Sequence, residues 1–255
     1  MWHRLADCAA RTQRRAGSSV PAMMSETQTK AVHLPCWNCS AATVSPLFCP
    51  ACRHIQPSPP GTDYFDLFGL DRKLRLDVAD FEQRFHQLSW KLHPDNFVRA
   101  TDYERSLSLE RSSQLNDAYR TLRDPISRVE YLLAQEGMRK EGEAKQQAPP
   151  ELLEEVFELN ESLDELRMAR QAGGDGGEMA ALRSRLEAAE QNFSAKLGEV
   201  DAELDRIFDE WDQALGAGAD DAARKKLMAR MNDALNRRSY IRNLVANVQK
   251  ELAEA

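Results

Sequence analysis

The stretch Lys91-Leu92-His93-Pro94-Asp95 separates two runs of sequence with helical periodicity. Pro94 ends the first run, because proline lacks an amide hydrogen and disfavours the helical conformation in the residue before it. His93 and Asp95 then place an imidazole beside a fixed negative charge in an exposed turn between two helices. A short, rigid, polar turn of this kind suits docking to a partner protein better than catalysis.

The two flanking runs predict a helical hairpin. Before the turn, Asp77 can cap a helix whose apolar residues recur at spacings of three and four, namely Phe81, Phe85, Leu88 and Leu92. After the turn, a longer helix is predicted from about Asp102 to the Asp124-Pro125 stop. The histidine is not accompanied by a recognisable nucleophile motif, so we expect a protein that is not an enzyme.

Residues 62–124 resemble the J-domain of DnaJ-type co-chaperones. The resemblance rests on the aromatic first helix Tyr64-Phe65-Asp66-Leu67-Phe68-Gly69-Leu70, on the His93-Pro94-Asp95 turn, and on Asn116-Asp117-Ala118-Tyr119 with Leu122. It implies that the turn stimulates ATP hydrolysis by a DnaK-class chaperone. A turn histidine without any partner is the alternative.

The same resemblance implies that Arg84 and Lys91 on the second helix meet an acidic surface of the chaperone. That helix also carries Asp77, Asp80 and Glu82, so its basic face is thinner than in many relatives. We therefore expect weaker charge steering, with the docking turn itself unaffected.

The N-terminal region carries four paired cysteines in the pattern C-x2-C-x9-C-x2-C, namely Cys36, Cys39, Cys49 and Cys52. Each C-x-x-C pair can bring two thiolates around a tight turn, and two facing turns complete a tetrahedral sulfur site. We expect one structural zinc ion, because the protein supplies all four ligands; iron in a rubredoxin-like site is the minor alternative. Two unrelated dithiols or a disulfide pair are the other interpretation. Trp37 and Phe48 are expected to supply the small core of this knuckle.

The first 30 residues are rich in arginine and poor in acids, which is the composition of a mitochondrial transit peptide. An untargeted, disordered leader is the alternative. We expect the four-cysteine knuckle over 31–56 and a stiff, proline-rich linker over 57–62. The J-domain and its connecting helix then span 63–137, and a polar linker spans 138–150.

Charge is distributed unevenly along the chain, whose formal net charge is -7. Residues 149–255 carry fourteen Lys/Arg and twenty-three Asp/Glu, and this acidity argues against nucleic acid as the main ligand. The sequence contains no run that is long and apolar enough to span a membrane. All five cysteines lie in the first 52 residues, which excludes a disulfide-stapled secreted scaffold.

Three long helical patterns fill 151–255 and predict an antiparallel three-helix bundle. The first pattern has a packing seam at Leu152, Val156, Leu159, Leu163 and Leu166. Glycine-rich breaks at 171–177 and 215–220 separate the three helices. The fold expected for the whole chain is therefore mainly α, with a small metal knuckle, a J-domain hairpin and the bundle.

Leu153 and Phe157 lie one residue off this seam and form a second apolar stripe. Acidic residues that include Glu158 and Glu161 border the stripe, and Tyr240 is similarly offset on the third helix. If the first and third helices are neighbours, these side chains form an exposed apolar patch with an acidic border, which is typical of a protein-binding site. A wide core face is the alternative.

The order of J-domain, connector and acidic bundle resembles the HscB family, the co-chaperones of iron–sulfur cluster biogenesis. The resemblance is carried by Leu122-Arg-Asp-Pro-Ile-Ser-Arg-Val-Glu-Tyr-Leu-Leu133 at the join of the domains and by Phe157-Glu-Leu-Asn-Glu-Ser-Leu-Asp-Glu-Leu166. The knuckle and the basic leader are similar to those of animal mitochondrial members. The family resemblance implies contacts to the cluster scaffold protein at Leu153, Phe157, Glu158, Glu161 and Tyr240.

The resemblance thus implies an adaptor that binds the scaffold protein through its bundle. Its J-domain stimulates a mitochondrial DnaK-class ATPase, and the cluster passes to recipient proteins. The expected location is the mitochondrial matrix, with a cytosolic pool left open. A general J-protein for unfolded clients is the main alternative; a nucleic-acid-binding zinc knuckle and an iron-binding redox protein rank lower. We expect neither nucleic acid nor a membrane as a partner.

Overall fold

The structure is a computed structural model that describes residues 35–43, 47–139, 149–173 and 176–254. Within these ranges the secondary structure is helical, apart from two isolated β-bridges in the cysteine-rich segment. This confirms the predicted mainly α fold. The predicted transit peptide, 1–30, lies outside the described residues, as does most of the predicted linker at 138–150.

The J-domain consists of four α-helices and one short 3-10 helix. In chain order these are α1 (Tyr64–Phe68), α2 (Val78–Leu92), the 3-10 helix (Pro94–Phe97), α3 (Asp102–Arg123) and α4 (Pro125–Gln135). The 3-10 helix contains the turn on which the sequence prediction is centred. Its place between α2 and α3 agrees with the predicted hairpin.

The starts of α2 and α3 are fixed by side-chain caps. Asp77 accepts hydrogen bonds from the amides of Ala79 and Asp80, as its position before α2 predicts. At α3, the hydroxyl of Thr101 accepts from the amide of Glu104, while the Glu104 carboxylate accepts from the amide of Thr101. This reciprocal pair is a capping box, which satisfies two of the amides left unpaired at a helix start.

α2 and α3 pack as an antiparallel pair around a shared apolar core. Phe81 and Leu92 are buried, and the rest of the predicted stripe on α2 is half-buried against the same cluster. The hydroxyls of Ser108 and Ser112 on α3 donate to the carbonyl oxygen of Leu92 at 2.6 and 3.0 Å. These two bonds hold the end of α2 immediately before the turn.

The C-terminal part consists of three long helices, each antiparallel to the next. A short 3-10 helix (Pro150–Leu152) leads into α5 (Leu153–Ala172), and α6 (Gly176–Gly216) and α7 (Asp221–Ala253) follow. All five residues of the predicted seam are buried, with exposed fractions between 0% and 8%. The helices in the described ranges include none that combines the length and the apolar composition needed to cross a bilayer.

The J-domain and the bundle share a packed interface. Leu74, in the loop before α2, is buried in the bundle core, and the indole N–H of Trp211 donates to a backbone carbonyl of the same loop at 2.9 Å. Arg128 of α4 is 3% exposed, and its guanidinium donates to the backbone carbonyls of Leu122, Arg123 and Leu74, which ties the Leu74 loop to the rest of the J-domain. The carboxylate of Asp212 on α6 accepts from the amides of Leu74 and Arg75 at 2.7 and 2.9 Å, so the same loop is bonded to the bundle.

Candidate docking surfaces and metal centre

The His93-Pro94-Asp95 turn is braced by hydrogen bonds within itself and to the end of α2. The Nδ1 atom of His93 accepts from the Asp95 amide at 3.3 Å, and Asn96 Nδ2 donates to the carbonyl oxygen of Trp90 at 2.6 Å. Asp95 Oδ2 lies 3.6 Å from the same Nδ1 atom, and the His93 and Asp95 side chains are 56% and 84% exposed. The neutral imidazole therefore carries its proton on Nε2, where it can serve as a donor to a partner.

Arg84 and Lys91, the basic residues expected to assist the turn, have different surroundings. Arg84 Nε lies 2.8 Å from Asp80 Oδ2 one turn earlier, so its charge is compensated within α2. Glu82 on the same helix is paired with Arg123 of α3 at 3.1 Å. Lys91 is exposed in the last turn of α2, beside the docking turn. Of the two cations, Lys91 is the better placed to meet an acidic partner surface.

Trp90 is a candidate contact residue that the sequence reasoning did not identify. Its side chain is 77% exposed, and Val98, on the other side of the turn in sequence, is 66% exposed. The signal in the sequence is positional: Trp90 lies two residues before Leu92 and off the apolar stripe of α2, so it faces away from the core. Exposed apolar side chains therefore flank the polar turn.

The predicted stripe on α5 is exposed, so it is not part of a wide core face. Leu153 is 49% exposed and Phe157 is 81% exposed, although the neighbouring seam is buried. Glu158 and Glu161 are also exposed, and neither makes an ion pair with any residue in the described ranges. The apolar stripe thus has a rim of uncompensated negative charge.

Acidic residues on α6 that face α7 have cationic partners, whereas the acidic rim of the α5 stripe has none in the described part of the chain. Asp201 lies 2.5 Å from Arg238, and Glu203 lies 2.8 Å from Arg237. Glu158 and Glu161 on α5 expose their charge to solvent instead. Such a rim around exposed apolar side chains fits a partner with an apolar ridge and basic flanks.

Tyr240 on α7 lies at the same level along the bundle as the α5 stripe. Its side chain is half-buried, whereas that of Phe157 is exposed. Arg167 of α5 pairs with Glu251 of α7 at 2.6 Å, which places the two parallel helices in register. Phe157 and Tyr240 lie ten and eleven residues before these partners, so both are about 15–17 Å from the ion pair at 1.5 Å per residue. Tyr240 packs against the bundle core at that level, so its side chain does not protrude as that of Phe157 does.

Met168 extends the same face of α5 and was also missed by the sequence reasoning. It is 69% exposed, and its spacing of eleven residues from Phe157 places the two side chains within about 20° around the helix. Among the described residues from 149 onward, the exposed large apolar side chains are Leu153, Phe157 and Met168. The signal in the sequence is therefore a three-turn spacing, with polar residues filling the turns between.

The structure brings the four predicted cysteines together. Their sulfur atoms all lie within 4.8 Å of one another, with Cys36 and Cys52 3.6 Å apart and Cys39 and Cys49 3.7 Å apart. Zinc–sulfur bonds of about 2.3 Å in a tetrahedron require sulfur atoms about 3.8 Å apart, so the four thiols fit a single ion. These four cysteines are free thiols and form no disulfide with one another.

The two C-x-x-C turns share one backbone geometry. In each, the residue after the second cysteine donates its amide to the carbonyl of the first, Ser40 to Cys36 and Arg53 to Cys49, both at 2.9 Å. Ser40 and Arg53 both have positive φ, 59° and 63°. That conformation costs a non-glycine residue about 1–2 kcal/mol, so its paired occurrence indicates two matched turns that present sulfur atoms to a common centre.

The thiols of the cluster differ in how readily they ionise. Burial opposes ionisation of Cys36, but the amides of Cys39 and Asn38 outweigh it and lower the pKa of that thiol to about 6. The Ala41 amide favours the thiolate of Cys39, yet Cys52, burial and the other thiols raise its pKa to about 12. Four thiolates this close repel one another, and a bound dication removes that repulsion.

The apolar core of the knuckle differs from the predicted one. The prediction is wrong for Trp37, whose side chain is 38% exposed. Its indole N–H donates to the backbone carbonyl of Ile55 at 2.7 Å, which keeps the ring at the surface. Phe48 is half-buried, and the fully buried apolar residues of the segment are Leu47 and Ile55. Both belong to the core cluster of the J-domain. The knuckle therefore shares a core with the J-domain instead of having its own.

Comparisons with known proteins place these sites in a family context. A scan against family models found no match. A co-chaperone protein HscB homolog from Vibrio vulnificus is 33% identical over 173 residues, which are 68% of this chain and 94% of the relative. The human protein named iron-sulfur cluster co-chaperone protein HscB is 37% identical over 134 residues, 51% of this chain and 57% of that protein. The crystal structure of human co-chaperone protein HscB matches with a TM-score of 0.54 and 26% identity, over 86% of this chain and 99% of that one.

Proposed function

Because this chain belongs to the HscB family of co-chaperones, we propose that it is an adaptor in iron–sulfur cluster biogenesis. Its bundle binds the cluster scaffold protein, and its J-domain stimulates the ATPase of a mitochondrial DnaK-class chaperone. Hydrolysis closes the chaperone on the scaffold, and the cluster passes to recipient proteins.

The observation that carries this proposal is the presence of two exposed surfaces of different chemistry on one packed body. The polar turn at His93-Pro94-Asp95 caps the α2–α3 hairpin, and the apolar stripe at Leu153 and Phe157 lies on the bundle. Leu74 and Trp211 join the two parts, and Arg128 braces the loop that carries Leu74. A body of this kind can hold two proteins at once without a change in its own shape.

On the chaperone side, the turn supplies directional polar contacts. His93 offers a donor at Nε2, Asp95 offers an exposed carboxylate, and Pro94 fixes the backbone between them. Lys91 adds a positive charge beside the turn, and Arg84 contributes less because Asp80 compensates it.

On the scaffold side, apolar contact provides the anchor and charge selects the partner. Phe157 and Leu153 are the side chains that a partner would bury, and Tyr240 is a further contact at the same level of α7. Glu158 and Glu161 favour a basic surface and disfavour an acidic one.

The four-cysteine knuckle binds one structural zinc ion in this proposal. Thiolate donors in a closed set of four favour zinc, and they leave no coordination position for chemistry. Metal analysis of the purified chain should find about one zinc per chain and no visible absorption. Stoichiometric iron with visible thiolate-to-iron absorption would contradict this assignment.

A pair of reciprocal variants tests the division of labour. His93→Gln should abolish stimulation of the chaperone ATPase and leave scaffold affinity unchanged. Leu153→Ala combined with Phe157→Ala should do the reverse. Loss of both activities in both variants, with helical content and unfolding midpoint preserved, would show that the two surfaces do not act separately.

The same proteins distinguish an adaptor from a general J-protein. Scaffold protein and a denatured model substrate are offered to the chain at equal concentration, and Glu158→Lys serves as the matched variant. Preference for the scaffold that is lost in the variant supports the proposal. Equal binding of the denatured substrate, unchanged in the variant, would favour the general J-protein.

We place the protein in the mitochondrial matrix on the composition of its first 30 residues. Fusion of residues 1–30 to a fluorescent protein should direct it to mitochondria. Substitution of the four arginines in that segment by glutamine is the control, and import that persists in this control would count against the assignment.

A further inference from the structure

The knuckle packs against the J-domain on the side where α3 begins. Leu47 and Ile55 of the knuckle are 6% and 0% exposed, and they lie in one cluster with core residues of α1, α2 and α3. The edge of the Trp37 ring contacts Tyr103, with ring centroids 5.0 Å apart. The knuckle therefore covers the first turn of α3.

A polar contact ties the knuckle to the same turn of α3. His54 Nδ1 lies 2.6 Å from Glu104 Oε1, and Glu104 is only 7% exposed. The other oxygen of that carboxylate accepts hydrogen bonds from the amide and the hydroxyl of Thr101, at 3.2 and 3.0 Å. One carboxylate thus joins His54, which follows Cys52 by two residues, to the residue that caps α3.

Thr101 is also where the loop that carries the docking turn ends. That loop leaves α2 at Leu92, whose carbonyl is held by two hydroxyls of α3, and it re-enters a helix at Thr101. Both ends of the loop are therefore anchored to α3. The anchor at Thr101 depends on Glu104, which the knuckle holds in place.

We infer that the four-cysteine knuckle, through His54 and Glu104, is a positioning element for the His93-Pro94-Asp95 turn. Cysteine residues that are joined through one ion fix the backbone at His54, and His54 then orients Glu104. Loss of the ion frees the knuckle, loosens the cap of α3, and lets the loop sample arrangements that do not dock. This goes beyond the proposed function, which treats the knuckle as a separate structural module.

The test uses the full chain and two kinds of variant. Cys49→Ser with Cys52→Ser removes half of the ligands, and His54→Ala keeps all four cysteines. Amide hydrogen exchange is followed over 93–105, with α7 as an internal reference. Chaperone stimulation is measured as the adaptor concentration needed for half-maximal effect, and scaffold affinity and metal content are measured in parallel.

We expect His54→Ala to retain its metal and to raise exchange over 93–105 by roughly tenfold, the size set by the loss of one charge-assisted hydrogen bond. The half-maximal concentration should rise by a similar factor, while maximal stimulation and scaffold affinity stay unchanged. The cysteine variant should lose metal and show a larger effect in the same direction. His54→Gln, which can still donate to Glu104, should restore part of the loss.

Arg120→Ala is the matched control, because Arg120 pairs with Asp117 on the exposed side of the C-terminal half of α3. It should change neither exchange nor stimulation. If His54→Ala leaves exchange over 93–105 at the native level, or if Arg120→Ala has the same effect, the inference is wrong and the knuckle acts separately. Failure of the proposed function has a different signature, since His93→Gln would then leave stimulation intact.

Discussion

The α2–α3 turn and the exposed face of α5 are both open to solvent, yet different parts of the chain hold them in place. The turn depends on backbone and capping contacts: the carbonyl of Leu92, the cap at Thr101 and the carboxylate of Glu104. The α5 face depends only on a regular helix whose opposite side is buried, so its side chains protrude from a fixed cylinder. The docking turn is therefore sensitive to distant contacts, whereas the α5 face is sensitive mainly to its own side chains.

Arg128→Ala should have the largest effect, because it should loosen the Leu74 loop through which the J-domain packs on the bundle. The guanidinium satisfies three backbone carbonyls in a buried site, and burial lowers its pKa. Its loss should lower the free energy of unfolding by about 3 kcal/mol, because buried acceptors are left unpaired. Urea unfolding followed by circular dichroism measures this.

Arg123→Ala is the control for that experiment, since Arg123 makes an exposed ion pair with Glu82. It should cost no more than about 0.5 kcal/mol. Equal losses in the two variants would mean that the buried guanidinium does not stabilise the Leu74 loop.

Charge reversal on the α5 rim should have the next largest effect, confined to one surface. Glu158→Lys with Glu161→Lys should weaken scaffold binding by more than roughly tenfold, because like charges then face a basic partner. Binding of the native chain should weaken as salt rises, and the variant should show a smaller or inverted dependence. Calorimetric titration at two salt concentrations checks this, and stimulation of the chaperone should not change.

Trp90→Ala should weaken chaperone stimulation by about tenfold, because a large exposed aromatic beside a docking turn is the kind of residue that anchors an interface. Val78→Ala is the matched control, since Val78 is 50% exposed at the other end of α2. The half-maximal concentration in an ATPase assay measures the effect. If the two variants have the same half-maximal concentration, Trp90 does not take part in docking and the contact is confined to the polar turn.

Met168→Ala should reduce scaffold affinity by only a few fold, since contacts near the edge of an interface contribute less than its centre. Met179→Ala is the comparison, because Met179 lies partly buried against the bundle core. Affinity that is equally reduced in both variants would point to bundle stability rather than to contact. An unchanged scaffold affinity for Met168→Ala would show that the interface does not reach the last turns of α5.

The smallest effect should appear in the pH dependence of the bundle. Hydrogen bonding from Arg167 lowers the pKa of Glu251, so the contact stabilises the folded state above the ordinary glutamate pKa and is lost as pH falls below it. Glu251→Gln should therefore be less stable than the native chain at pH 7, and the gap should narrow as the pH falls towards 3. Thermal unfolding at both values measures the difference, and a gap as large at pH 3 as at pH 7 would contradict the assignment.

Much of the helical pattern could be predicted because local chemistry sets it. Asp77 and Pro94 mark the boundaries of α2 by capping and by the missing amide, and the seam on α5 follows from spacing alone. The exposure of Leu153 and Phe157 followed from their offset from that seam. These features need no knowledge of which segments meet in space.

Contacts between distant segments could not be predicted in the same way. Leu74 lies in the bundle core, and Leu47 and Ile55 lie in the J-domain core, although nothing in their local spacing indicates a partner. The error at Trp37 has the same origin, because the knuckle takes its core from another domain. The roles of the docking residues, the domain boundaries and the identity of the metal remain predictions.

The interface made by Leu74 and Trp211 also has a consequence for concentration. Two proteins bound to one body meet in an intramolecular step, whose effective concentration is on the order of millimolar across a short flexible linker and falls to near zero when the geometry keeps their sites apart. The packing at Leu74 sets the separation between a protein on α5 and a protein at the docking turn, and so sets which of these limits applies. A looser joint would average the two bound proteins over many relative positions.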